Sequence, residues 1–446
     1  MVGLRHRILA AVPLEDLACA ALFAFFSMQG FIPGIAPTTA LEVTGSVPTS
    51  LTTVGGIASQ AVANGVILFL IARRPRLLLR SLPALPWVVL AAGLAIASTA
   101  WSLDPTLTLR RSIPFALAAL FGLYFAVRFP ASRQLAILRL AMIAVALATV
   151  ALVVLAPSLA LDHTPGHAAD WQGVFTQKNA CGRIMVLATA VILFGPRISP
   201  ARAASLALFV FVLVMSGSRG AWIIEAAILL LAPVLHLAHR SGSRFRLLLG
   251  AAAPVVVAIS SVASVLYLPP LLRLLGRDPT LSGRTAIWAQ VAHFIFQRPW
   301  FGYGYDAFWR GMTGPSLEID AAVHFIVEHA HNGFLEIALE LGLAGLALFL
   351  ASWFDAWRRL WPLWHAGNLA PIAFPIAFLL LIALYDIDEN TLLIYNGIFW
   401  PLYVAALGNI AGLARQPIPA SPRPSTEAAN PSPIPAPPEL SLQETL

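Results

Sequence analysis

Residues 135–157 read LAILRLAMIAVALATVALVVLAP. The run exceeds the roughly 20 mostly apolar residues that cross a bilayer core, and its one charge, Arg139, sits near its start. It predicts a membrane-spanning helix. Of the 446 residues, 59% are hydrophobic and 11% charged, with a mean hydropathy of +0.79; soluble domains carry about 25% charged residues. Composition therefore excludes a soluble globule and points to a polytopic membrane protein with on the order of a dozen spans.

Apolar runs bounded by proline, glycine or charge place spans near residues 17–34, 54–72, 84–101, 113–128, 135–157 and 180–195. In the second half they fall near 203–218, 221–238, 247–268, 333–351, 369–385 and 392–412. The positive-inside rule tests this register. With the N-terminus cytoplasmic, the inside segments collect 18 of the 28 basic residues, Arg73, Arg128, Arg133, Arg202, Arg246 and Arg358 among them. The net charge of +7 then reports topology and not nucleic-acid binding, so no nucleic acid is expected as a partner. Arg5 and Arg7 precede an apolar run that Glu15 and Asp16 interrupt, and no small-residue cleavage site follows, so the first span is expected to be retained. Cys19 and Cys181 lie in apolar stretches and offer neither a disulfide framework nor a metal site.

The expected organisation is a twelve-span unit over residues 1–412, containing one long outer segment at 269–332, followed by a disordered cytoplasmic tail at 413–446. The tail holds nine prolines between Pro417 and Pro438 and few apolar side chains. The outer segment is where the chain can build something beyond the bilayer, and function is sought there.

Ten basic residues fall outside, against the charge bias: Arg110, Arg111, Lys178, Arg183, Arg219, Arg273, Arg277, Arg284, Arg298 and Arg310. Snorkelling at the interface accounts for Arg110, Arg111, Arg273 and Arg310. Arg219, in Ser216-Gly217-Ser218-Arg219-Gly220, is wedged between two apolar runs. A charge at membrane depth costs about 2.5 to 3.5 kcal/mol even on lenient scales, so Arg219 is expected to face a polar cavity or an anion. Lys178, the only lysine, stands in Phe175-Thr-Gln-Lys178-Asn179 with Arg183 about one turn on; lysine and arginine together suit a phosphate.

Ser282-Gly283-Arg284-Thr285-Ala-Ile-Trp288 opens a helix expected to be capped by Ser282 and stopped by Pro299. Ile287, Val291, Phe294 and Ile295 recur at helical spacing, which lays this helix on the membrane surface or on the bundle, with Arg284 and Trp288 on one face. Arg298-Pro299-Trp-Phe-Gly302-Tyr-Gly304-Tyr305 follows as an aromatic and glycine turn. No strand precedes it, so it is no dinucleotide fingerprint.

The densest chemistry is His324-Phe-Ile-Val-Glu328-His329-Ala-His331-Asn332. Its His-x-x-x-Glu-His spacing is one residue longer than the inverted zincin motif, and no carboxylate-rich third arm accompanies it, so no metal is expected. His331 and Asn332 fall instead at the N-terminus of the tenth span, where the helix dipole and nearby guanidinium groups disfavour imidazolium. A neutral imidazole there can take a proton as a general base; the plain alternative is a histidine that caps the helix.

Taken together, these motifs resemble the O-antigen ligase and polymerase superfamily of bacterial inner membranes, whose members move lipid-linked glycans outside the cytoplasm. The resemblance rests on His331-Asn332 followed, after nine intervening residues, by Gly342-Leu-Ala-Gly345. Gly283-Arg284-Thr285-x-x-Trp288, the Arg298 to Gly304 turn, Phe175-x-x-Lys178-Asn179 and Ser216-x-Ser218-Arg219 support it, making five ordered motifs over residues 175–345. Trp101-Ser-Leu-Asp104-Pro105 with Arg110-Arg111-Ser112 is similar to the exopolysaccharide-polymerase branch.

The resemblance implies an all-α polytopic integral membrane protein of GT-C-like architecture, in the inner membrane with its site facing the periplasm. It implies an inverting glycosyltransferase that needs no metal or other cofactor. His331 would be the base that deprotonates an acceptor sugar hydroxyl, and Arg219 and Arg284 would hold the diphosphate of an undecaprenyl-linked oligosaccharide or polysaccharide. Lys178, Asn179, Arg183, Asn332, Arg298 and Trp288 would bind substrate. The implied partners are that donor, an acceptor glycan or lipid, the lipid bilayer and a chain-length regulator. Polymerisation of exopolysaccharide or O-antigen repeat units is expected first, with ligation of a finished glycan to lipid A-core or protein as the alternative. A lipid-linked-sugar transporter and an intramembrane zinc protease using His324, Glu328 and His329 are the rivals from other classes.

Overall fold

The computed structural model describes residues 12–30, 50–163, 169–195, 198–248, 283–311, 313–367 and 369–416. Their helices are α1 (Leu14–Ser27), α2 (Ser50–Ala72), α3 (Pro75–Ser81), α4 (Pro86–Ala97), α5 (Pro105–Arg128), α6 (Ala131–Leu155), α7 (Pro157–Ala160) and α8 (Lys178–Leu193). They continue with α9 (Pro200–Met215), α10 (Arg219–Arg240), α11 (Arg284–Gln297), α12 (Ser316–Val323), α13 (Gly333–Ala366), α14 (Ala373–Asp388) and α15 (Phe399–Ala414). Among the described residues, β pairing is limited to one isolated bridge between Leu161 and Trp171.

Among the described residues, five helices are long and apolar enough to cross a membrane: Val54–Ala72 of α2, then α5, α6, α10 and α13. The expected third span, 84–101, is met by the second arm of a broken pair, Pro75–Ala84 and Pro86–Ala100, bent by 100°. Each arm opens on a proline, whose fixed φ suits a first helical turn and whose missing N–H prevents continuation from the arm before. Counting that pair gives six. Helices α9, α14 and α15 are apolar but 16 residues each, about 24 Å at 1.5 Å per residue against a hydrocarbon core of about 30 Å. The described helices thus supply five or six of the twelve expected spans by length and composition. Residues 249–268 of the expected ninth span, and the expected tail from residue 417, lie outside the described residues. Val62, Phe69, Val154, Ile223 and Leu230 stand exposed on the helix surfaces, a distribution suited to lipid and costly in water.

The two ends of α5 are tied differently. Near its start, Arg111 donates to the carbonyl and the carboxylate of Asp306 at 2.8 and 3.1 Å. Near its end, Arg128 forks onto Glu15 at 2.8 and 2.7 Å, and Arg133 of α6 forks onto Asp16 at 2.9 and 2.8 Å. The two acids that interrupt the first apolar run therefore anchor α1 to the α5–α6 turn. Between these ends α5 lies hard against α15: Gly122 lets the Pro401 carbonyl approach, and Phe115 stacks on Trp400 at 4.3 Å.

Helix α13 was expected to end near residue 351, but it runs to Ala366 and is broken at Gly342, which adopts φ 68° and ψ −171°. That conformation is open essentially to glycine alone. The break frees backbone groups that lipid cannot satisfy, and the aromatic turn fills it. Tyr303 and Gly304 donate to the carbonyls of Leu339 and Glu340 at 3.0 and 2.9 Å, while Leu343 and Ala344 donate to the carbonyls of Pro299 and Trp300 at 2.7 and 3.1 Å. A Cβ at Gly342 would overlap the Trp300 backbone, and one at Gly302, φ 66°, would lie 2.5 Å from Glu340.

The early tryptophan motif clasps the other side of the same turn. Trp101 Nε1 donates to the Phe301 carbonyl at 2.9 Å, Leu103 N to that of Tyr303 at 3.0 Å, and Thr108 Oγ1 to that of Tyr305 at 2.9 Å. Helix α11 packs Ile287, Val291 and Phe294 onto Tyr303, Phe308 and Leu339, forming a second small core on the bundle. The expected cap, Ser282, lies outside the described residues; Gly283, φ 85°, immediately precedes the helix, which stops at Gln297 before Pro299.

Candidate functional site

Helix α13 begins at Gly333, and its cap is Asn332, whose Oδ1 accepts from Leu335 N at 3.0 Å. Asn332 also donates to the Ile387 carbonyl at 3.0 Å, fixing the start of α13 against the end of α14. Because Asn332 does the capping, His331 is left free of that task. It takes a left-handed turn, φ 48°, and its N–H donates to His329 Nδ1 at 3.1 Å.

Both histidines turn toward Glu389, the residue that ends α14. Its Oε2 lies 3.6 Å from His331 Nδ1 and 3.8 Å from His329 Nε2, ion-pair distances longer than a hydrogen bond. Its Oε1 accepts from Arg284 at 2.9 Å. Glu389 is held in place because Asp386 accepts from both the N–H and the hydroxyl of Thr391 at 2.8 Å, pinning the turn after α14. Arg284 and Trp288 share a face as expected: while Arg284 meets Glu389, Trp288 donates to the Ala330 carbonyl at 3.0 Å.

Burial alone would raise the Glu389 carboxyl, but His331, His329 and Arg183 hold it down at about 2. Burial, then His331, pushes the His329 imidazole down to about 3, consistent with its Nδ1 accepting a backbone N–H. The expected surroundings of His331 are thereby corrected. A carboxylate faces it, so an imidazolium formed there is stabilised and not only opposed by cations.

The neutral ring of His329 has a measurable consequence. An unfolded chain protonates this histidine below about pH 6.5, whereas the folded one does so only near pH 3. The stability it supplies is complete above about 6.5 and is lost as the pH falls. Between about pH 7.5 and 5 the melting temperature in detergent is expected to fall more steeply for the wild type than for His329→Gln; equal slopes would contradict this. Glu389, by the same rule, loses its contribution only as the pH falls from about 4.5 toward 2.

Behind His329 lies a polar cavity of about 120 Å³. Arg183 is in its wall, donating to the Asn390 carbonyl at 3.3 Å with its guanidinium 5.8 Å from the Phe399 ring. The remaining expected residues lie elsewhere. Lys178 opens α8 and is ion-paired with Asp170 at 2.7 Å and Asp162 at 3.8 Å. Asn179 accepts from Ser218 Oγ at 3.0 Å, tying α8 to the start of α10, where Arg219 is exposed and unpaired by any described residue. Arg298 is exposed with its guanidinium 4.8 Å over the Tyr303 ring. His324 is exposed at the end of α12. Among the described residues, the metal-ligating atoms that do converge belong to His329, His331 and Glu389, within 4.8 Å of one another.

Residues 204–350, which carry Arg219, Arg284, Trp288, Arg298, His331 and Asn332, match the sequence model described as O-antigen ligase. That stretch, about a third of the chain, is similar to an O-antigen ligase domain. A protein of Rickettsia prowazekii named as a candidate polysaccharide ligase is 41% identical over 18% of this chain and 20% of its own length. A Rickettsia conorii protein of the same name is 33% identical over 21% of this chain and 26% of its own. The exopolysaccharide production protein ExoQ of Rhizobium meliloti is 27% identical over 61% of this chain and 66% of its own. The match thus spans about a fifth to a quarter of these Rickettsia proteins and just under two thirds of ExoQ. These similarities fall in the same family as the motif resemblance. Glu389, which sequence reasoning missed, lies 39 residues beyond the matched O-antigen ligase domain, in the acidic run Asp386-Ile-Asp388-Glu389.

Proposed function

We propose that this membrane protein transfers a glycan from an undecaprenyl-diphosphate-linked donor to an acceptor sugar hydroxyl at an extracytoplasmic site. The observation that carries this reading is the sharing of one buried carboxylate, Glu389, by His331 and Arg284 within a chain similar over residues 204–350 to an O-antigen ligase domain.

The acceptor hydroxyl attacks the anomeric carbon; the new glycosidic bond forms as the bond to the diphosphate breaks. The hydroxyl proton passes to His331 Nε2, since Nδ1 faces Glu389, and the carboxylate stabilises the resulting imidazolium. The departing diphosphate carries the bonding electron pair and is held by Arg284 and Arg219. One displacement inverts the anomeric configuration. Arg284 on the same carboxylate supplies the positive charge that a metal would bring to the His329, His331 and Glu389 cluster, and the reaction is read as metal-independent.

Polymerisation of repeat units is the favoured form, supported by the broader match to an exopolysaccharide production protein. Ligation of a finished glycan is the second reading, favoured by the name of the matched domain. Deleting the gene separates them. Loss of long chains with accumulated single lipid-linked repeats is the result expected; free long polymer retained on the lipid carrier would instead mean ligation. Unchanged surface glycan, or activity abolished by EDTA, would overturn the mechanism.

A further inference from the structure

Three polar atoms in the wall of the cavity behind His329 have no hydrogen-bond partner: Arg183 Nε, Glu340 Oε2 and Asn390 Oδ1. Their residues are 6%, 2% and 9% exposed. They come from α8, α13 and the turn after α14, so three separately folded elements bring unmet polar groups to one space. An unpartnered buried donor or acceptor costs about 1 to 3 kcal/mol, and such a wall calls for an occupant with both donors and acceptors.

Hydroxyl groups meet that need, since each donates once and accepts twice. The wall also includes the aromatic side chains of Trp309 and Tyr395. Its ionisable members are Arg111, Arg183, Asp306, Glu328, Glu336 and Glu340. Arg111 is already ion-paired with Asp306 at 3.1 Å, and a carboxyl group, ionised or protonated, meets a hydroxyl better than a phosphate. His329 is part of the wall and its ring lies 4.1 Å from that of His331, so an occupant abuts the reacting centre.

We infer that this cavity is a subsite for one uncharged, hydroxyl-rich sugar ring of the glycan being transferred or extended, read by Arg183, Glu340 and Asn390. The inference rests on the glycan-transfer reading above and adds a place and a charge preference for the sugar. It moves Arg183 from the diphosphate to the sugar.

The test places a thiol in the wall of the full-length protein, as Gln177→Cys or Asn390→Cys, in a His331→Ala background that leaves substrate unconsumed. The native Cys19 and Cys181 are fully buried. Maleimide labelling is followed with the lipid-linked glycan that accumulates in the deletion strain, and separately with bare undecaprenyl diphosphate. At about ten times its Kd, the lipid-linked glycan is expected to slow labelling about tenfold, and the bare diphosphate by about twofold or less. Equal protection by both would make the cavity a phosphate site, and protection by neither at either cysteine would leave it to water; each result overturns the proposal. Failure of the underlying reading looks different: His331→Ala would then still support surface polymer in cells.

Discussion

Replacing His331 by alanine is expected to lower glycan transfer about 10²- to 10⁴-fold, the usual worth of a positioned general base, or about 3 to 5 kcal/mol of transition-state stabilisation. The fold should tolerate the change. His331 does not cap α13, because Asn332 does, and the side-chain contacts it gives up are those with Glu389 and His329. The melting temperature of His331→Ala should therefore stay close to that of the wild type, whereas Asn332→Ala should lose about 1 kcal/mol of stability. Glu389→Gln keeps the shape but removes the charge that faces the ring and Arg284. It is expected to reduce turnover, because the imidazolium formed during transfer loses its counter-charge. Turnover of lipid-linked glycan in isolated membranes measures all three variants. Full activity in His331→Ala would remove the proposed base.

Gly342→Ala is expected to cost more stability than any other single exchange discussed. At φ 68° and ψ −171° a Cβ adds about 1 to 3 kcal/mol of backbone strain. That Cβ would also overlap the Trp300 carbonyl, and relieving the overlap pulls the aromatic turn away from the break. Four backbone hydrogen bonds to Leu339, Glu340, Leu343 and Ala344 then fail together, in a region where unpaired backbone groups cost several kcal/mol each. A loss of about 4 kcal/mol or more is expected, read as failure of the protein to accumulate in membranes. Gly93→Ala is the control. Gly93 lies within α4 with nothing within 4 Å of its Cβ position, so alanine there should be neutral or stabilising by up to about 1 kcal/mol. Normal accumulation of Gly342→Ala would show that the break does not need glycine.

Apolar runs made the helices legible, and the sequence motifs marked the neighbourhood of His331, Asn332, Arg284 and Trp288. What they left out is direction and partnership. The run from Pro86 to Ala100 reads as a span, but nothing in it tells that the basic stretch before it forms a second helical arm meeting it at 100°. Gly342 and Gly345 register as a motif, but only the approach of Trp300 explains why the first must be glycine. Lys178 seemed suited to phosphate because its partners, Asp162 and Asp170, belong to a connection with no periodicity of its own. Glu389 stayed hidden because it follows His331 by 58 residues in a short link between two apolar runs. Three acids within four positions there, in a chain holding 21, were the available signal.

The clasp between the aromatic turn and the broken α13 separates the reacting centre from the segment that links them. The chain leaves this platform after Trp309, whose Nε1 donates to Glu336 Oε1 at 2.6 Å, packs Ile319 of α12 into the small core, and rejoins the platform at Ala330, whose N–H donates to Oε2 of the same carboxylate at 2.6 Å. Departure and return are thus pinned by one buried carboxylate, and closing a longer loop costs little more than closing a short one. An insertion at the exposed residues 313–314, ahead of α12, is therefore free to grow into a surface for a different glycan without displacing His331, which makes this turn the natural place for specificity to diversify while the chemistry stays fixed.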